Sequence, residues 1–265
     1  MMVQPRTQAA TENQQYKMQN YCKTIGALAA ASALVAGNAQ AEVEYELHTG
    51  YSSEYLYRGI NLGQDLIEVG TAVKTEVSGI GLSAGAWYGT VQNNSMGADL
   101  NMSELDLYVD VSKDFGFLTG SVGYIYRHYD LDFLGSANTG EVYFGISRDF
   151  GFVEASLTYY WGVEGVNANN FTPGTTDGYT ELALSRKFEI NQCLNLNVGT
   201  NVGYLMDDAE FTSWTTKVSL DWGFVEHAKL SPFIALAIGL GEQSQTIWAS
   251  TTNQLVGGCM LSVNF

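Results

Sequence analysis

The sequence predicts an all-β protein, an antiparallel β-barrel of about twelve strands that crosses a membrane, on three observations. Segments of about ten residues alternate apolar side chains with polar or very small ones. Brief turns and longer polar connections follow one another in regular order. The chain closes on Cys259-Met260-Leu261-Ser262-Val263-Asn264-Phe265, apolar at every second position up to a terminal aromatic ring. A period of two gives each strand one apolar and one wetter face, and about ten residues is the length that a tilted transmembrane strand needs.

The N-terminal part reads as an export signal. A charged stretch from Met18 to Lys23 precedes an apolar run from Thr24 to Gly37, and Ala39-Gln40-Ala41 supplies a small-x-small cleavage site. The run is shorter than the ~20 residues of a spanning helix. Residues 1–41 are therefore expected to be removed, leaving one barrel domain over 42–265; Met18 is an alternative start, because Met1 to Lys17 is polar and Gln-rich. No Cys follows the run where a lipid anchor would need one. A barrel exported in this way belongs in a Gram-negative outer membrane, with the Phe265 ring at its interface.

Charge narrows the function. The chain has 12 Lys plus Arg against 28 Asp plus Glu, and residues 42–265 retain nine against 27. That acidity argues against a nucleic-acid partner and for a lumen that prefers cations. Cys193 and Cys259 are too few for a disulfide framework, and whether they pair is open. No apolar run after the signal has helix-spanning length, so strands are the way into a bilayer.

The turns mark out the strands. Ile80-Gly81-Leu82, Phe115-Gly116-Phe117 and Phe150-Gly151-Phe152 recur every 35 residues, and Trp222-Gly223-Phe224 lies two periods further on, with Arg186-Lys187-Phe188-Glu189 where the intervening turn is due. Asp114, Asp149 and Asp221 precede three of them, a tight-turn composition in which Gly supplies positive φ. Such a period holds two strands, one short turn and one long loop; a propeller would need more turns. Short turns are expected near 78–81, 112–116, 148–151, 187–193 and 223–228. Long loops are expected near 59–65, 92–102, 129–139, 164–178, 207–211 and 241–250. The asymmetry of membrane barrels puts the short turns on the periplasmic side.

Between these marks the first strand runs from about Val43 to Tyr57. The second sets Ile67, Val69, Thr71, Val73, Thr75 and Val77 against Glu68, Gly70, Ala72, Lys74 and Glu76. The fourth sets Leu105, Leu107, Val109 and Val111 against Glu104, Asp106, Tyr108 and Asp110. The ninth (Leu194 to Met206), tenth (Trp214 to Trp222) and eleventh (Leu230 to Leu240) alternate in the same way. Ten or fourteen strands are also compatible, because the first-strand region and 163–178 are ambiguous. A lipocalin-like soluble barrel would reverse the faces; the order of connections favours the membrane form. Tyr124, Tyr126, Tyr159, Tyr160, Trp161, Trp214 and Trp222 are expected to form interfacial girdles.

In the first strand, Ser53-Glu54-Tyr55-Leu56-Tyr57-Arg58-Gly59-Ile60, just after Gly50-Tyr51, resembles the Ser-Asp-Tyr-x-aromatic-Arg-Gly-Ile/Val signature that opens the TorF-type porins, also known as Gcw_chp proteins of unknown function. Ser53, Tyr55, Tyr57, Arg58 and Gly59 carry the match. A looser likeness continues through the Asp-aromatic-Gly turns to Phe265 and covers most of the barrel. Glu54 stands where the family has Asp, and Leu66-Ile67-Glu68-Val69 lacks the usual glycines. The resemblance implies an outer-membrane channel of undefined substrate, not a known reaction.

Parity places Glu44, Glu46, Glu68, Glu76, Glu104, Asp106, Asp110, Glu141, Glu154, Glu181 and Asp221 in the lumen, against Arg58, Lys74, Arg127 and Lys217. In a narrow passage that acid excess lowers the energy of cations, so the expected function is a passive channel for small cationic or neutral solutes. If the charges pair instead, the lumen is plugged. Arg58, at the outer end of the first strand, is expected to bridge lumen carboxylates or to meet an anionic group of a solute. A barrel hydrolase of lipase or protease type is the competing class, resting on His128 with Asp130 and Asp132; the two Asp could equally hold Ca²⁺ or bridge lipopolysaccharide cations. His48 reads as lumenal and His227 as part of a turn. No phosphate loop, metal-spaced Cys/His set or Gly-x-Ser-x-Gly elbow is present, so no cofactor or metal is expected. The expected partners are outer-membrane lipid, small solutes and the barrel-assembly machinery, which would read Phe265.

Overall fold

The computed structural model describes residues 42–92, 101–131, 135–164, 178–241 and 253–265. The expected export signal and Asp132 lie outside them. The described residues form β1 (Val43–Tyr57), β2 (Ile60–Val77), β3 (Ile80–Gln92), β4 (Met102–Asp114), β5 (Thr119–Leu131), β6 (Gly135–Asp149), β7 (Glu154–Glu164), β8 (Tyr179–Asn191), β9 (Leu194–Leu205), β10 (Glu210–Val225), β11 (Ala228–Gly239) and β12 (Gln254–Asn264). They close into one barrel in the order β1-β12-β11-β10-β9-β8-β7-β6-β5-β4-β3-β2. β1 completes the wall by running antiparallel to β12, from Glu46↔Asn264 to Ser52↔Gly258. Closure leaves no open sheet edge, which a wall in lipid requires.

The faces settle which side is wet. Leu47, Val69, Val109, Val111, Phe144, Ile146, Leu157, Leu184, Ile234 and Leu255 all point outward and are 40–71 % exposed, whereas Glu104, Arg127 and Glu141 on the inner face are buried. A soluble barrel would reverse this. Inward-facing glycines make room for a neighbouring strand's ring: Gly85 lies against Tyr108, Gly123 against Tyr143, Gly203 against Tyr179 and Gly258 against Phe233. At these four positions glycine follows from fitting an aromatic ring into a narrow lumen.

All five expected short turns are present, but two are built differently. In Asp114-Phe-Gly116 and Asp149-Phe-Gly151 the Asp Oδ1 accepts the Gly N–H at 2.6 Å, with Gly φ of 83° and 82°. Ile80-Gly81-Leu82 and Trp222-Gly223-Phe224, by contrast, lie inside β3 and β10. The turn before β3 is Ser78-Gly79, both at positive φ, the geometry that matches strand twist in a two-residue hairpin. Gly223 sits beside a register irregularity and donates its N–H to the Cys193 carbonyl at 2.8 Å. At the turn between β8 and β9, Asn191 takes the Asp role by accepting the Cys193 N–H at 2.9 Å.

The other end departs further from expectation. The long loop expected at 59–65 is a two-residue turn, Arg58-Gly59, with β2 already under way at Ile60. The loop expected at 129–139 shrinks because β5 runs to Leu131 and β6 starts at Gly135. Tyr159 and Trp161 face outward as expected of a girdle, but Tyr160 lies between them in sequence and points into the lumen, where its ring meets Arg58. Aromatics do crowd the outer rim at the short-turn end, and three lie beside a base: Phe115 with Lys113, Phe150 with Arg148 and Phe188 with Arg186, 4.8–5.9 Å from cation to ring centre.

Candidate functional site

The eight residues of the Ser53–Ile60 signature form the tip of an inward-folded hairpin. β1 leaves its wall partner after Ser52, whose Oγ donates to the Glu54 carbonyl at 2.8 Å. Strand alternation breaks there. Tyr51 faces outward and donates to Asp65 at 2.6 Å, whereas Tyr55, four residues on, points inward and donates to Glu104 of β4 at 2.9 Å. On β2 the wall register resumes at Gln64↔Gln92 after a positive-φ Gly63, and is irregular between Gln64 and Ile67 around Asp65 (φ 53°). Glu54 and Asn61 hydrogen-bond across the tip.

The turn itself needs two left-handed residues, Arg58 at φ 51° and Gly59 at 82°. Gly59 is buried against Ser213 of β10, and a Cβ there would collide with it. The Ser213 Oγ donates to the Arg58 carbonyl at 3.2 Å. The tip thus touches strands on both sides of the barrel. Leu62, Leu66, Val91, Met102, Tyr129, Leu131 and Ala137 form an apolar core within the lumen, with Tyr55, Tyr57, Ile60 and Trp87 packed on it. This core fixes one flank of the hairpin to β3–β6 by the burial term that dominates folding.

Charge fixes the other flank. Arg58 is bidentate on Glu141 of β6, Nη1–Oε1 2.8 Å and Nη2–Oε2 2.9 Å. Arg127 of β5 donates to the same carboxylate at 2.6 Å and lies 3.5 Å from Asp106. The Glu141 side chain is 0 % exposed and the two guanidinium side chains 6 % and 4 %. Arg58 also lies over the rings of Tyr57, Tyr160 and Tyr179, at 5.0, 4.5 and 4.2 Å from their centres. A planar cation held through its N–H edge by a carboxylate and lying over tyrosine rings combines the ion-pair and cation–π recognition of guanidinium. Buried oxygens of Tyr57, Glu104, Asp106 and Thr139 carry no further hydrogen bond within the described chain, so the cluster has polar capacity to spare.

The remaining lumen residues divide into three groups. Glu68, Asp110 and Glu181 are held by neutral donors: Trp87 Nε1 at 2.5 Å, Tyr143 Oη at 2.7 Å and Asn201 Nδ2 at 2.8 Å. Asp221 meets Lys229 at 3.3 Å, a base on the inner face of β11 that sequence reading left out. Glu44, Lys74, Glu76 and Glu154 are exposed toward the short-turn end, while Glu46 lies 3.7 Å from His48. Lys217 lies over the Phe233 ring at 3.9 Å. At this end a vestibule of about 530 Å³ opens against the arc from β6 to β10, with Asp149, Glu154, Arg186, Lys187, Gly199 and Lys217 in its lining.

Of the His128 cluster expected of a hydrolase, Asp132 lies outside the described residues. His128 Nδ1 meets Asn138 Oδ1 at 2.6 Å, its register partner on the outer face. His227 sits in the turn between β10 and β11, where its carbonyl accepts the Asn264 N–H. Cys193 and Cys259 are unlinked thiols. Sequence reading missed Tyr160, Tyr179, Ser213 and Lys229. The signal for Tyr160 was in plain view, since of three consecutive aromatics in one strand the middle must face the opposite way.

Comparison with known proteins places this architecture. The COG4313 outer membrane channel from Pseudomonas putida F1 is similar in fold, with a TM-score of 0.54 at 10% identity over 84% of this chain and 95% of that one. The NanC porin gives 0.50 at 10% identity over 83% and 98%. At such identity the likeness is one of fold. No curated protein sequence matches the chain. A family model does match, over residues 36–229, which take in the inward hairpin, the ion-pair cluster and ten of the twelve strands. The chain belongs to the Gcw_chp family, bacterial proteins of unknown function.

Proposed function

We propose that the protein is an outer-membrane channel for small cationic or neutral solutes, which rests with its loop-side half closed by its own β1–β2 hairpin. The observation that carries this reading is a lumen in two halves, a vestibule of about 530 Å³ at the short-turn end and a folded plug beyond it. A barrel needed only as a wall has no use for a polar vestibule. The porin and channel that share the fold support the same reading.

The cation preference follows from how the lumen acids are held. Glu141, Asp106 and Asp221 face bases. Glu68, Asp110 and Glu181 are held by neutral donors, which orient a carboxylate without cancelling its charge. The vestibule lining itself carries Asp149 and Glu154 against Arg186, Lys187 and Lys217, so the cation preference is read from these lumen carboxylates beyond it. The short turns face the periplasm, and Phe265, its N–H on the Tyr45 carbonyl at 2.9 Å, presents the end of β12 to the assembly machinery. Loss of the export signal at Ala41 belongs to the same reading.

The test is current through the refolded 42–265 chain in a planar bilayer under a salt gradient. Discrete steps with a reversal potential on the cation side support the reading, and Asp110→Asn with Glu181→Gln then moves that potential toward zero. A folded, heat-modifiable barrel that never conducts, at any voltage and with the hairpin contacts mutated, marks it as a structural plugged barrel.

A further inference from the structure

We infer that Glu141, Tyr160, Tyr179 and Glu181 form a binding box for the guanidinium group of a solute, which Arg58 occupies as a built-in competitor. This rests on the channel reading above only for its consequence, the opening of the plug. The box itself is read from geometry.

The chain's own guanidinium shows what the box accepts. Two N–H donors meet Glu141 at 2.8 and 2.9 Å, and the guanidinium carbon lies 4.5 and 4.2 Å from the ring centres of Tyr160 and Tyr179, which are 5.8 Å apart. An ammonium group lacks the planar fork for the first contact and the flat face for the second. The box is held by the wall and not by the hairpin. Glu141 is on β6, Tyr160 on β7, and Tyr179 and Glu181 on β8, with Glu181 fixed by Asn201 at 2.8 Å and by the Tyr179 hydroxyl at 3.3 Å. It therefore keeps its shape when Arg58 leaves.

Access and charge point the same way. Asn201 is followed on the inner face of β9 by Gly199, a vestibule residue, so the box lies at the vestibule's inner end. Without Arg58 its carboxylates, Glu141 and Glu181, face Arg127 as the nearby base, and the deficit is one positive charge. A solute guanidinium arriving from the vestibule supplies that charge, takes the place of Arg58 and frees the polar anchor of the hairpin. The site thus gives the channel a substrate class, guanidinium-bearing solutes, and a reason to open for it.

The test is titration of methylguanidinium chloride, with sodium chloride at equal ionic strength as the control, into refolded Arg58→Ala barrel in detergent, read by calorimetry. Saturable binding to Arg58→Ala, at least about tenfold weaker in wild type and in Arg58→Ala/Glu141→Gln, is the expected result. Binding that is absent, matched by sodium, or indifferent to Glu141→Gln overturns the inference. Should Arg58→Ala fail to show a heat-modifiable fold, Arg58→Gln, which keeps a hydrogen bond to Glu141, is titrated in its place with the same criteria. In parallel, methylguanidinium raises the wild-type open probability in a bilayer. Binding as expected with no current in any variant leaves the box standing and refutes the channel.

Discussion

Glu141→Gln isolates the ion pair that holds the hairpin. The substitution keeps the size of the side chain and removes one charge from a site that is 0 % exposed, leaving two guanidinium groups buried around a neutral amide. Removing one member of a buried pair costs about 3–5 kcal/mol. Arg127 retains Asp106 at 3.5 Å, so the loss falls mainly on Arg58; its three ring contacts are the same before and after the substitution and drop out of the difference. A hairpin swung out of the lumen returns Arg58 to water, so the penalty applies to the plugged state alone. A net bias of about 3 kcal/mol changes the ratio of plugged to open about 100-fold. Single-channel open probability at fixed voltage reads this directly, with the urea midpoint of the barrel wall as the control for global damage. A double-mutant cycle with Arg58→Ala completes the test: the second substitution adds little once Glu141 is gone. Additive effects, or an open probability equal to wild type, would refute the claim that this pair latches the hairpin.

Three further outcomes follow from the same geometry. Gly59→Ala forces a Cβ onto a residue at φ 82° against Ser213, a strain of about 1–2 kcal/mol from the left-handed conformation before the collision is counted; open probability rises, and Ser213→Gly in the same background relieves the collision part, a rescue that fails if the contact is not the cause. Val109→Arg puts a charge on the outer face where Val109 is 54 % exposed, and urea unfolding in phospholipid vesicles records a loss of about 2–4 kcal/mol; no loss means that this face does not meet acyl chains. Cys193, exposed in the turn between β8 and β9, reacts with a membrane-impermeant maleimide in lysed but not in intact cells when Cys259 is replaced by Ala; labelling of intact cells would invert the orientation.

Much of the wall was legible because alternation in a strand has one physical cause, a face in lipid and a face in the lumen. The second, fourth, ninth, tenth and eleventh strands follow the sequence pattern, and Glu104, Asp106, Arg127 and Glu141 point inward as parity requires. Where parity broke, sequence reading went astray. The shift after Ser52 is set by a side-chain hydrogen bond to Glu54, and a Ser-Ser-Glu string carries no mark of it. Loop 59–65 looked long because Asn61, Gly63, Gln64 and Asp65 have loop composition, yet there they form a kinked strand that bends into the barrel. The partners of Arg58 come from strands far along the chain, and only closure of the wall brings them to one place.

That distance has a consequence for how the barrel is made. The hairpin is local in sequence, but the contacts that seat it span 49 residues to Glu104, 83 to Glu141 and 155 to Ser213. Contacts of that separation form late, after the intervening chain has been ordered. The strand that carries the hairpin is also the strand that seals the wall, by pairing β1 with β12 up to Ser52. Sealing the seam delivers the stopper to the mouth in the same motion. On the channel reading proposed above, a copy entering the membrane goes from an unfinished sheet to a shut barrel with no stage as a complete and leaking hole.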